Sequence, residues 1–182
     1  MKRRAFEVVW PADNTRDVSS ELARSEFRVV KQRTDAVVTL SSGLTTQGCF
    51  FIAGGSARHA GPELVAELLN SEPGFFPFEI HFVGHTYTVL YNRNQVVMVA
   101  LTDHEARRDP GYAVATRRFV SILLSNGQRI AGAVRVYRPE GRDRLSDWAR
   151  QPEIFRYVET ADETTLIINV AHIVEVSEVT QS

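Results

Sequence analysis

His81, His85 and Cys49 are the side chains in this sequence best suited to hold a metal ion. The two histidines are four residues apart, a spacing that places both imidazoles on one face of a helix and allows them to chelate zinc. The residues around them, Phe82-Val83-Gly84 and Thr86-Tyr87-Thr88-Val89, instead indicate a β-hairpin. In an extended strand the two rings lie about 13 Å apart unless the turn folds them together. We therefore expect no metal site.

Two asparagines recur at matching places, each shortly before a run of β-branched residues. Asn92 is followed by Arg93 and Asn94, and Asn169 stands at the corresponding place later in the chain. Asparagine adopts unusual backbone angles and caps a turn with its own side chain, so the pattern favours a turn. Contact with a ligand remains the alternative interpretation of the same residues.

The sequence contains no set of residues typical of an enzyme. His172 lies in a predicted strand without a nucleophile matched to it, which favours a hydrogen-bonded sheet histidine. Gly54-Gly55-Ser56 is rich in glycine but lacks the Gly-Lys-Ser/Thr ending of a phosphate-binding loop. No carboxylate pair has a spacing that demands acid–base work. We therefore predict a non-enzymatic protein without a cofactor.

Composition indicates an ordinary globular protein. The 182 residues are 43% hydrophobic and 24% charged, and the formal net charge of −1 argues against a strongly basic nucleic-acid surface but allows a local patch. Cys49 is the single cysteine, so no intrachain disulfide is possible. No stretch reaches the roughly 18 apolar residues that a membrane span needs. We expect a cytoplasmic protein that does not enter a membrane.

The elements that must position these residues occur twice. Val37 to Gly43 is followed after four residues by Gly48, and Val120 to Gly127 is followed after four residues by Gly132. Each segment indicates an apolar strand, a tight turn and a second strand, and Asn126-Gly127 is a strong hairpin signal. Glycine inside the second strand marks a bend or bulge.

Both copies continue with a short helix, an aromatic strand and a closing pair of strands. The helices are predicted just before Pro73 and Pro152, with Gly61 and Asp143 as their N-caps. The predicted division is an N-terminal arm (1–35), a first repeat (36–102), a linker (103–116) and a second repeat (117–182). Alternating apolar residues at Phe6, Val8 and Trp10 suggest a strand in the arm.

The second copy resembles the Sm-like proteins. "VSILLSNGQRIAGAVRVY" (120–137) is similar to their first signature, and "TLIINVAHIVEVSEV" (165–179) is similar to their closing strand pair. The resemblance implies a mainly β protein with two tandem Sm/SH3-like small β-barrels, each with a short inserted helix. The insertion of about twenty residues in each copy resembles a group of uncharacterised bacterial Sm-like domains.

Sm-like proteins commonly build rings that bind RNA, through a loop just before the last strand. Carried over to this sequence, that loop is Asn92-Arg93-Asn94 in the first copy, a polar set similar to the nucleotide pocket of the family. In the second copy it is Asn169-Val170-Ala171, which has lost most of its polar capacity. The resemblance implies that the strand turns would contribute Ser42 and Asn126.

The leading hypothesis is therefore an interaction or scaffolding protein that assembles through β-edges. A small barrel of this type leaves edge strands open, and open edges recruit neighbours. Protein partners or self-association into a homo-oligomer are expected. The alternative is RNA binding through the Asn92 loop, and a domain that binds a small ligand is a third, weaker hypothesis.

Overall fold

A computed structural model describes residues 31–139, 141–162 and 164–180 of the chain. The protein is mainly β, and ten strands form a single antiparallel sheet. In chain order the strands are Lys31–Leu40 (β1), Thr45–Ala53 (β2), Phe75–Phe82 (β3), His85–Asn92 (β4), Val96–Leu101 (β5), Thr116–Leu124 (β6), Arg129–Val136 (β7), Phe155–Thr160 (β8), Thr165–Asn169 (β9) and Ile173–Glu178 (β10). The strand predicted around Phe6, Val8 and Trp10 lies outside the described residues.

In the part of the chain that the structure describes, two short α-helices and three 3₁₀ helices connect the strands. The α-helices are Val65–Ser71 (α1) and Leu145–Ala149 (α2), and the 3₁₀ helices are Arg93–Gln95, Glu105–Arg108 and Val170–His172. Residues 31–101 (the first half) and 116–178 (the second half) contain the same succession of elements. Each half has two strands, an α-helix, two strands, a 3₁₀ helix and a final strand.

Several predicted boundaries differ from the structure. Helix α1 has Leu64 at its N-cap rather than Gly61. Gly61 O accepts a hydrogen bond from Ser56 N, and Glu63 N donates one to Ala53 O, so the chain before Leu64 belongs to the loop after β2. Helix α2 has Arg144 at its N-cap, and the expected cap, Asp143, accepts from Arg118 instead. Strand β1 begins at Lys31, inside the predicted arm, because Lys31 to Asp35 pair with β2.

The strand order is β10-β6-β7-β8-β9-β5-β1-β2-β3-β4. The two halves are joined by the pairing of β5 with β9, in which Met98 lies opposite Ile168 and Leu101 opposite Thr165. We call this pairing the junction. The sheet does not close on itself, so β4 and β10 each have a neighbour on one side only among the described residues.

Glycines allow the sheet to bend at equivalent places in the two halves. Strand β2 pairs with β3 only from Gly48 to Phe50, and β7 pairs with β8 only at Gly132 and Ala133. A Cβ atom on Gly48 would lie 2.0 Å from the carbonyl oxygen of Glu79, and one on Gly132 would lie 2.6 Å from that of Glu159. The bend predicted at Gly132 is therefore a close crossing of two strands that excludes a side chain.

Two apolar clusters form the core, one mainly from each half. Aromatic rings dominate the first, where Phe50 packs on Phe76 and Phe78 at centroid distances of 5.3 and 5.0 Å. The second contains Trp148, which is 3% exposed and packs helix α2 onto the sheet. Within the described residues no helix combines the length and the apolar character needed to cross a membrane.

Candidate interaction site

Asn92 and Asn169 cap the 3₁₀ helices that precede the last strand of each half. The Asn92 side chain accepts a hydrogen bond from Asn94 N, and the Asn169 side chain accepts one from Ala171 N, both at 3.0 Å. The turn interpretation is confirmed, because each asparagine satisfies a backbone N–H that the short helix leaves unpaired.

Arg93, the most basic residue of the predicted nucleotide loop, lies largely inside the protein. Its guanidinium donates to the carbonyl oxygens of Leu69 at 3.2 Å, Phe75 at 2.8 Å and Leu68 at 3.2 Å. Desolvation by burial lowers the pKa of Arg93 from its ordinary value. The side chain thus holds the end of helix α1 against β3, and RNA binding through it stays a prediction without support from this geometry.

The remaining residues of that prediction lie at one end of the sheet, on exposed turns. Ser42 Oγ accepts from Leu44 N at 3.4 Å, Asn126 Oδ1 accepts from Gln128 N at 3.0 Å, and the Asn94 side chain is exposed. His172 links the turns of the two halves, since its ring nitrogens meet Ser125 Oγ at 2.8 Å and Asn94 O at 3.0 Å. The hydrogen bonding predicted for His172 is confirmed, but its predicted place in a strand is wrong, because His172 ends the 3₁₀ helix Val170–His172 and β10 begins at the next residue.

The amide side chains of Asn169 and Asn70 form hydrogen bonds between the two halves. Asn169 is 1% exposed, and its Nδ2 donates to Arg93 O at 3.2 Å and Val96 O at 2.9 Å. Asn70, at the end of α1, donates to Phe155 O at 2.8 Å and accepts from Phe155 N at 2.9 Å. No local sequence pattern indicates this role of Asn70, because Phe155 is 85 residues away along the chain.

The segment predicted to be a linker contributes a buried carboxylate. Glu105 accepts hydrogen bonds from Val65 N at 2.9 Å, Ala66 N at 3.2 Å and the Tyr157 hydroxyl at 2.7 Å. Burial raises the pKa of Glu105, although these three donors act in the opposite direction. Glu105 therefore connects the first turn of α1 to strand β8, and the linker packs between the halves.

The halves also exchange apolar side chains at the junction. Phe155 of β8 and Ile167 of β9 belong to the core cluster of the first half, where they are 3% and 0% exposed. Val97 of β5 belongs to the cluster of the second half and is 0% exposed. Each half is thus completed by residues of the other. We call Phe155, Ile167 and Val97 the junction residues.

Each junction residue has an equivalent in the other half. Phe155 and Phe75 each begin a strand and lie opposite the capping asparagine. Ile167 and Leu90 stand two residues before that asparagine. Val97 and Val174 are second in the last strand of their half. We call Phe75, Leu90 and Val174 the edge residues.

The edge residues lie on or beside the two open strands and are exposed. Phe75 is 61% exposed, Leu90 66% and Val174 65%, in contrast to the buried junction residues. Strand β4 carries no Lys, Arg, Asp, Glu or Pro, the residues that usually prevent an edge strand from pairing. Strand β10 carries Glu175 and Glu178. Among the described residues, no strand pairs with the outer side of β4 or of β10.

A cleft of about 490 Å³ lies beside the junction, between α1 and α2. Its lining includes Trp148, Arg156 and Tyr157. The guanidinium of Arg156 donates to the carbonyl oxygens of Trp148, Gln151 and Glu153, so its hydrogen bonds are directed at the protein backbone rather than into the cleft. Arg156 therefore stabilises the backbone that leads from α2 to β8.

His81 and His85 lie on opposite strands of the β3–β4 hairpin. Phe82 of β3 pairs with His85 of β4, as the sequence predicts, and His81 pairs with Thr86. The three potential metal ligands that converge are Cys49, Glu79 and His81, without His85. Burial and a hydrogen bond to Glu79 raise the pKa of the Cys49 thiol to about 11. Glu79 was missed because its closeness to Cys49 depends on strand register.

Comparison with known proteins found no match to this chain. No protein-family model matches the chain. No curated protein and no solved structure matches it either. The contrast between the junction and the open edges therefore remains the main indication of function.

Proposed function

We propose that this protein is a non-enzymatic scaffold, built from two Sm-like units, that assembles with further copies of itself through its β-edges. The observation that carries the proposal is the difference in exposure between equivalent residues. Ile167 is 0% exposed at the junction, and its equivalent Leu90 is 66% exposed on the open strand β4. An apolar side chain of this kind gains roughly 1.5–3 kcal/mol when it is fully buried.

The junction supplies the pattern for pairing between chains. Within one chain, the last strand of the first half pairs with the fourth strand of the second half, with Val99 opposite Ile167 and Ala100 opposite Leu166. Repeating that pattern sets β10 of one chain beside β4 of the next. Val176 would then lie opposite Leu90, and Ser177 opposite Val89.

A second copy suits these edges better than an unrelated partner, because the two edges complement each other. Val174 would enter the core of the neighbouring chain as Val97 enters the second half, and Leu90 and Phe75 would enter in the other direction. Both faces of the contact are therefore present on every chain. Such a head-to-tail contact generates a ring if its rotation closes and a filament if it does not.

Two single substitutions test the proposal. Leu90→Asp places a charge on the β4 edge, and Val174→Asp places one on the β10 edge. We expect sedimentation velocity to show oligomers of the unaltered chain that grow with concentration. Each variant alone should sediment at the 20.5 kDa of one chain. Val114→Asp is the control, because Val114 is 87% exposed and lies outside both edges.

Mixing the two variants distinguishes head-to-tail pairing from pairing of like edges. The Leu90→Asp chain keeps an intact β10, and the Val174→Asp chain keeps an intact β4. An equal mixture should therefore form a dimer of twice 20.5 kDa and nothing larger. If like edges pair, the mixture gives no new species and each variant dimerises alone. A strict monomer of the unaltered chain at high concentration contradicts self-assembly altogether.

Cysteine cross-linking tests the register. Chains with Ser177→Cys, mixed with chains with Val89→Cys, should form a disulfide between chains under mild oxidation. Leu90→Cys in place of Val89→Cys is the control, because neighbouring residues of a strand point to opposite faces. The native Cys49 is buried and does not compete. Equal cross-linking in both mixtures would contradict the proposed register.

A further inference from the structure

One face of the first half carries three different metal-binding side chains side by side. Cys49 of β2 lies directly opposite Glu79 of β3, and His81 follows two residues later on the same face of that strand. Cys49 Sγ is 3.5 Å from Glu79 Oε1, and His81 Nε2 is 3.6 Å from the same oxygen. All three ligand atoms lie within 4.8 Å of one another.

The distances from Glu79 Oε1 to Cys49 Sγ and to His81 Nε2 match the spacing of ligands around one tetrahedral ion. Zinc binds sulfur at about 2.3 Å and nitrogen or oxygen at about 2.0–2.2 Å, so ligand atoms on neighbouring corners are roughly 3.3–3.6 Å apart. Thiolate, imidazole and carboxylate are the ligand types that zinc prefers. We infer that Cys49, Glu79 and His81 bind a zinc ion, with water at the fourth position.

The surroundings orient the ligands. His81 Nδ1 is 3.2 Å from Thr86 Oγ1 on the neighbouring strand, which turns Nε2 toward Glu79. A hydrogen bond of this kind to the second ring nitrogen is typical of histidines that bind metals. Cys49 and Glu79 are 1% and 6% exposed, so both are held in place by packing. His81 is exposed and leaves a path for the ion and its water.

Two charged groups adjoin the site. Arg33 Nη2 lies 3.1 Å from Glu79 Oε1 and 3.2 Å from Oε2, and its side chain is 62% exposed. A zinc ion on Oε1 would displace this contact toward Oε2 or into solvent. Asp35 lies opposite Cys49 on β1 and adds negative charge beside the thiol, which favours a cation.

The second half provides an internal comparison. Glu159 is the equivalent of Glu79, and it pairs with Arg135 at 3.3 Å. The positions equivalent to Cys49 and His81 are Ala133 and Ala161, which offer no ligand atoms. A carboxylate paired with arginine is thus common to both halves, whereas the complete ligand set occurs in the first half alone.

Titration of the full chain, produced without a histidine tag, tests the inference. Zinc should bind with a stoichiometry of one ion per chain by calorimetry. Cobalt(II) at the same site should give the charge-transfer absorption of a thiolate ligand. His81→Ala should abolish tight zinc binding, and because His81 is exposed this variant should retain its fold. Cys49→Ser should also remove the cobalt–thiolate band.

Two further variants make the test specific. Thr86→Val should weaken zinc binding by roughly 10–100-fold, because it removes only the group that orients His81. His85→Ala is the matched control, since His85 lies in the same hairpin but outside the cluster, and it should leave the affinity unchanged. The inference is overturned if the unaltered chain binds no zinc, if cobalt shows no thiolate band, or if His85→Ala and His81→Ala weaken binding equally.

Discussion

The junction and the open edges are made of equivalent residues in different surroundings. At the junction, Ile167 and Val97 are fully buried because a strand of the other half covers them. At the edges, Leu90 and Val174 occupy the same places in their own halves, and no strand among the described residues covers them. The difference lies in the neighbours rather than in the residue types. The pairing of β5 with β9 at the junction thus indicates which kind of strand the edges β4 and β10 can pair with.

The largest expected difference concerns Phe155 and Phe75. Phe155→Ala removes a ring that fills the core of the first half, and we expect it to lower the free energy of unfolding by about 3–5 kcal/mol. Phe75→Ala removes an exposed ring and should change it by less than about 0.5 kcal/mol. Urea unfolding at a concentration that keeps the chain monomeric measures both. Equal losses of unfolding free energy in the two variants would contradict the proposed difference in burial between Phe155 and Phe75.

Much of the fold was predictable from local sequence. Asn126-Gly127, the apolar strands and the glycines at 48 and 132 indicate a twice-repeated, mainly β chain, because turn chemistry and strand periodicity act over a few residues. The single continuous sheet was not predictable. It depends on β5 meeting β9, a pairing between residues about seventy positions apart that no local pattern encodes.

The candidate site was predictable only in part, for the same reason. The turn role of Asn92 and Asn169 follows from asparagine chemistry alone. The burial of Asn169 and the inward direction of Arg93 depend on contacts made after the halves pack. The burial of Glu105 was not predictable, because its partners at Val65, Ala66 and Tyr157 are distant in sequence.

The capping asparagines give the next smaller difference. Asn169→Ala removes the cap and also leaves Arg93 O and Val96 O without their amide donor, so we expect a loss of about 1–3 kcal/mol in unfolding free energy. Asn92→Ala removes the cap alone and should cost about 1 kcal/mol. Thermal unfolding of both variants measures the difference. Asn169→Asp is a useful control, because it keeps the accepting oxygen and removes the donor.

Protein concentration should change the stability that pairing of the edges contributes, but not the stability that the junction contributes. If copies pair through β4 and β10, the apparent stability of the unaltered chain rises by up to about 1.4 kcal/mol for each tenfold increase in concentration. Leu90→Asp should remove this dependence, because its junction is intact and its edge is blocked. Urea midpoints measured over a concentration series give the slope. A slope that persists in Leu90→Asp would place the contact elsewhere on the molecule.

The smallest expected effect comes from an equivalent serine contact that occurs once within each half. Ser41 N donates to Gln95 O at 2.7 Å and Ser125 N donates to His172 O at 2.8 Å, and both hydroxyls meet the side chain of that same partner on an exposed surface. Ser41→Ala and Ser125→Ala should each change the free energy of unfolding by no more than about 0.5 kcal/mol. Paired urea unfolding curves measure the two values. His172 also meets Asn94 O of the first half, so a larger loss in Ser125→Ala than in Ser41→Ala would show that Ser125 supports the contact between the halves as well as its own turn.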